Sequence, residues 1–250
     1  MSTFPFFTPP VFSLDSWHTL YTLILVITAA ISFIGLRNNR GDINHYLPSN
    51  AWRRAIIYFC VCSLLSVFTG VTDALLLRPV ASTENINDPL WLCSFLVCTG
   101  FIIFAYGYIW ARGTYTAGRP WHPVSCSLFG IMWGLSQGQL FLSFWALCEI
   151  FNMSLLLTAL LTAVTISIYN GLWQQHYWDH YVSPDHNIAE WNLRKVLLCH
   201  VPNLILTLSF LSVYGNIQLY LFLQTTALLI SSHRMHFPHW ADRSVSLSKT

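Results

Sequence analysis

The hydrophobic pattern of the chain is neither a strand alternation nor a one-sided helical stripe. It is a series of long apolar runs, at about 17–36, 55–77, 90–110, 125–147, 153–173, 196–214 and 217–232, separated by short polar segments. An α-helix needs about 20 mostly apolar residues to cross the hydrocarbon of a bilayer. The runs therefore predict an all-α fold, a polytopic membrane helix bundle of about seven transmembrane helices. Residues 1–250 are expected to form a single integral-membrane domain, with 1–16 as an N-terminal tail and 233–250 as a cytoplasmic C-terminal tail. The first run lacks a preceding basic segment and a following small-residue cleavage site, so it reads as a span and not as a cleaved signal peptide. Only Cys148 to Asn152 separate the fourth and fifth runs, which predicts a tight hairpin.

Composition sharpens this picture. Hydrophobic residues make up 54% of the chain, aromatic ones 16% and charged ones 9%, and the mean hydropathy is +0.51. Soluble domains carry about 25% charged residues. That shortfall excludes a soluble enzyme, a disordered protein and a secreted disulfide scaffold. The formal net charge of +2 is too small and dispersed for a nucleic-acid binder. The expected partners are membrane lipids and a hydrophobic small-molecule substrate.

Basic residues set the orientation. With the N-terminus outside, Arg37, Arg40, Arg53, Arg54, Arg112, Arg119, Arg194, Lys195, Arg234, Arg243 and Lys249 fall inside, which leaves only Arg78 of the twelve outside. The host membrane would be a bacterial inner membrane or the endoplasmic reticulum. Both lysines are expected outside the apolar core, which argues against a retinal-binding protein with a lysine within a late span. The seven cysteines lack the paired spacing of disulfides or zinc knuckles and read as packing residues. Asn152-Met153-Ser154 matches a glycosylation sequon, expected to be unused so close to the membrane. Gly130, Gly134 and Gly138 recur every four residues, a ridge on which a neighbouring helix can approach closely. Gln137 and Gln139 need interhelical partners or a polar cavity.

The histidines carry the candidate chemistry. In this topology nine of the ten lie at the inner face: His45, His122, His176, His180, His186, His200, His233, His236 and His239; only His18 lies outside. His176 and His180 are i and i+4, so on a continuing helix both imidazoles share one side, with Asp179 between them. Pro184 would end that helix. Asn187 and Glu190 have capping-box spacing for the next one. His200 and Asn203 are i and i+3 about Pro202. Histidines at such spacings can converge on iron, zinc or copper. We take His176, His180, His186, His200, His233 and His236 as candidate metal ligands, with Asp179 and Asp185 as ligands or orienting groups and iron as the candidate cofactor. The pair His176-x3-His180 resembles the opening element of the histidine boxes of membrane-bound diiron oxygenases. The adjacent His-His pairs and the helix number of that family are missing, and the chain is not assigned to it. The competing reading is interfacial: Tyr177, Trp178, Tyr181 and Trp191 among these histidines fit an aromatic belt.

The outer half offers Asp73 on the second run and Glu149 near the hairpin, with Arg78 as an ion-pair partner. A carboxyl in a span is costly and often functional, and burial could raise its pKa until it protonates an alkene or epoxide. Three functions follow: a membrane enzyme acting on a lipid or isoprenoid through inner-face histidines that bind metal or exchange protons; a metal-free isoprenoid cyclase or isomerase using Asp73 or Glu149; and a non-enzymatic carrier or pH sensor. An apolar pocket open sideways to lipid favours an enzyme, and a polar path across the membrane favours a carrier.

Overall fold

A computed structural model of the chain describes residues 48–81, 83–112, 123–173 and 193–234. Every element among them is helical: α1 (Pro48–Phe68), α2 (Val71–Leu77), α3 (Thr83–Asn87), α4 (Pro89–Arg112), α5 (Pro123–Ile150), α6 (Leu155–Trp173), α7 (Leu193–Tyr214) and α8 (Ile217–Arg234). By length and composition α4 and α7 can cross a membrane, and α1 with α2 makes a third if that bent pair is one span. The first apolar run, at 17–36, lies outside the described residues.

α5 is the centre of the bundle. α8 runs along one side of it and α1 along another, while α6 joins it through the hairpin; α4 packs on α7 and α8. This arrangement explains why α5 and α8 are less apolar than α4 and α7: they face each other and carry their polar residues inward. The glycine ridge is the contact. A Cβ on Gly130 would lie 2.5 Å from Ser232 Oγ, one on Gly134 would lie 2.6 Å from Thr225 Cα, and one on Gly138 would collide with Leu221. Outward-facing positions are apolar instead: Leu90, Leu96, Ile103 and Phe104 on α4, and Leu197, Ile205 and Val213 on α7, are all exposed. Interior polar and exterior apolar positions are what a hydrocarbon solvent selects.

The run at 55–77 was expected as one span and is broken. Gly70 takes a left-handed conformation (φ 74°) between α1 and α2, and the two helices meet at 80°. Thr69 reinforces the break, because its hydroxyl donates back to the Leu65 carbonyl at 2.9 Å. Hydropathy cannot register the break, since both arms are apolar. The hairpin after α5 is tight, as the sequence predicts. Asn152 (φ 55°) donates its N–H to Glu149 and Met153 donates to Cys148, a Schellman closure with Asn at the left-handed position.

Two π turns interrupt the apolar helices, Ala105–Ile109 in α4 and Val196–His200 in α7. The second has a sequence cause. Pro202 has no N–H, so the Leu198 carbonyl lacks its α-helical donor, and the chain widens just before it. The two π turns pack on one another, and the Cys199 thiol donates to the Ala105 carbonyl at 3.5 Å.

Candidate functional site

The ends of α4 and α8 and the starts of α5 and α7 gather at one end of the bundle, around the π turns. Here residues of α4, α5 and α8 line a broad, open groove of about 690 Å³ on the bundle surface. Its length is apolar: Ile103 and Phe104 from α4, Leu229 and Ile230 from α8, and the bare backbone of Gly100 and Gly107. A Cβ on Gly100 would meet nothing within 4 Å, so this glycine opens the groove; one on Gly107 would press on Ile230 at 3.3 Å.

Polar groups cluster at the end of the groove nearest the helix termini. The Ser127 hydroxyl and His233 Nε2 share a hydrogen bond of 2.9 Å between α5 and α8. Arg234 folds back so that its Nε donates to the Gly107 carbonyl at 3.0 Å, within the π turn. Arg112 lies over the Tyr108 ring, 4.4 Å from its centre. His233 lies one residue past the seventh apolar run, and partial burial pushes its imidazole below the ordinary histidine value. A neutral imidazole next to a hydroxyl can take a proton and return it once charged, and can activate that hydroxyl.

His200 occupies a separate position at the same end. It is buried in the π turn of α7 and shares a 3.0 Å hydrogen bond with the Ser167 hydroxyl of α6. One turn on, Asn203 donates to the Tyr106 hydroxyl of α4 at 3.3 Å. His200 and His233 thus bond hydroxyls on different helices. Among the described residues no group of three or more His, Cys, Asp or Glu side chains is placed to hold a metal ion. His176, Asp179, His180, Asp185, His186 and His236 lie outside the described residues, as do His45, His122, His239 and the capping box at Asn187 and Glu190.

The two candidate carboxylates are apart in character. Asp73 is exposed in the first turn of the short α2, beyond the 80° bend and not on a continuous span. Glu149 is half-buried near the end of α5 and accepts a hydrogen bond from the Trp145 indole at 2.8 Å. Lys195 departs from the sequence expectation. It is fully buried at the start of α7, with its ammonium 6.0 Å from the centre of the Trp110 ring. The Trp110 ring of α4 lies near it, a neighbour that local hydropathy does not reveal. The glutamines found interhelical partners: Gln137 donates to Asn170 at 2.6 Å, and Gln139 accepts from Ser63 at 3.0 Å.

The sequence offered no sign of the Ser127–His233 pair, because residues 106 apart carry no shared local pattern. His233 was the legible part of the groove, as one of the inner-face histidines; Gly100 and Gly107 carried no such signal. Comparison with protein-family models, curated proteins and solved structures finds no match for this chain.

Proposed function

We propose that the chain is a multi-pass membrane enzyme that admits a lipid or isoprenoid from the bilayer into the groove between α4, α5 and α8, and acts on it with histidines at the inner face. The observation that carries this reading is the groove itself. It is mostly apolar, lies open at the bundle surface, and is lined at one end by an imidazole hydrogen-bonded to a hydroxyl. A chain entering from lipid would bring its polar end to His233 and Ser127, where proton transfer to or from the substrate is available. The seven-span arrangement belongs to this proposal. The outward apolar faces of α4 and α7 support it, as do the polar side chains of Ser136, Gln137 and Ser143 buried on α5. Iron or another metal would enter through His176, His180, His186 and His236 together with His200 or His233.

The test is a comparison of lipid extracts from membranes carrying the native chain, His233→Ala and Ser127→Ala, with metal analysis of the purified proteins. A lipid or isoprenoid species converted by the native chain and spared by both variants is the expected result. No converted species, with all variants well folded, overturns the enzyme reading. Absence of stoichiometric metal from active protein removes the metal role and leaves proton transfer. Loss of conversion in Asp73→Asn, with both histidine-pair variants active, moves the chemistry to the outer half and overturns the assignment to this groove.

A further inference from the structure

We infer that the groove selects a single-chain amphiphile with an anionic head, a carboxylate or phosphate ending one acyl or prenyl chain. The inference rests on the reading of the groove as a substrate site and names its ligand class.

The argument is one of charge placed at one end of an apolar track. Arg234 lines the groove and makes one hydrogen bond, from Nε to Gly107. Among the described residues its two terminal nitrogens have no partner. A guanidinium presents paired N–H groups in a fork that matches carboxylate and phosphate oxygens. Using Nε on the backbone holds that fork in place and reduces the ordering a ligand must induce. Arg112 adds a second cation beside the groove, fixed on the Tyr108 ring. Among the described residues no Asp or Glu lines the groove, so none of them competes for the head. A cation at a helix C-terminus also complements the helix dipole, which accounts for an arginine at position 234 but not for its return over Gly107. The apolar section runs beside α4 from Gly100 to Tyr108, about 12 Å of helix, and Gly100 leaves room for the chain where any side chain would occupy it.

The test uses the full chain in phosphatidylcholine nanodiscs and two photoreactive probes of equal chain length, a fatty acid and the corresponding fatty alcohol. Saturable labelling of the groove residues by the acid is expected, with the alcohol about fivefold weaker, the order of one exposed ion pair. Arg234→Gln should bring the acid down to the level of the alcohol. Gly100→Leu should block both. Because a Cβ at Gly100 meets no neighbour, that variant is expected to keep the fold, checked by thermal melting; Ile103→Trp is the second blocking variant. Competition by unlabelled fatty acid or by a prenyl phosphate then separates a carboxylate head from a phosphate head. Equal labelling by acid and alcohol overturns the inference, and so does labelling indifferent to both blocking variants, which marks boundary lipid only. Selective labelling of a protein that converts no lipid leaves the binding site standing and removes the enzyme reading alone.

Discussion

The packing of α5 on α8 gives a sharp quantitative prediction at Gly134. An alanine Cβ there would lie 2.6 Å from the Thr225 Cα and 3.2 Å from its carbonyl oxygen. Carbon atoms in good contact sit about 3.5–4.0 Å apart, so the helices must separate by about 1 Å. Both near atoms are backbone, and no rotamer change relieves them. A gap of 0.5–1 Å forfeits about a quarter to a half of each contact's attraction, and it extends to the flanking contacts of Gly130 and Gly138. Overpacking of this kind costs about 1–3 kcal/mol. In a soluble helix the better helix propensity of alanine would return about 1 kcal/mol. In a bilayer the separated helices are already helical, and that gain cancels. Gly134→Ala should therefore destabilise the bundle by about 1–3 kcal/mol, while Gly100→Ala, with open space around its Cβ, should change stability by less than about 0.5 kcal/mol. Reversible unfolding in mixed micelles, followed by tryptophan fluorescence, measures both. Equal stability of Gly134→Ala and the native chain would refute the close α5–α8 approach, and a large loss in Gly100→Ala would refute the open groove.

Two further perturbations probe other joints. Gly70→Ala forces an L-residue into a left-handed conformation at the 80° bend and should cost about 1–2 kcal/mol in the same unfolding assay; an unchanged value would mean that the chain does not turn there. Gln137→Leu removes the donor to Asn170 and should cost about 0.6 kcal/mol, with about 1.7 as the upper bound for such bonds in membranes; a stabilised variant would show that the bond does not form.

How much of this was legible depends on whether the signal was local. The glycine ridge was readable because helical period and residue size alone define it, and it does meet another helix. The hairpin at Asn152 was readable from the shortness of the polar gap. The break at Gly70 was not, since a single glycine in an apolar run is common in spans and only its φ reveals the turn. The π turn before Pro202 had a visible cause, yet whether proline bends, widens or ends a helix is settled by what packs beside it. Lys195 is buried with Trp110, distant in sequence, near its ammonium, and no local pattern announces that neighbour. The histidine asymmetry is a property of the sequence and the topology together. Of its members, His200 and His233 are placed at the same end of the bundle on different hydroxyl partners.

That asymmetry, imidazoles and cations on one side of a membrane, is the claim on which the functional account depends, and side-specific cysteine labelling tests it most directly. Of the seven native cysteines only Cys60 and Cys93 are exposed, so replacing those two by serine gives a quiet background for single cysteines at positions 87, 152, 186 and 234. In sealed vesicles of known orientation, a membrane-impermeant maleimide should reach 87 and 152 from the outer side and 186 and 234 from the inner side. Labelling of 186 and 234 from the outer side, or of all four positions from one side, would contradict the account.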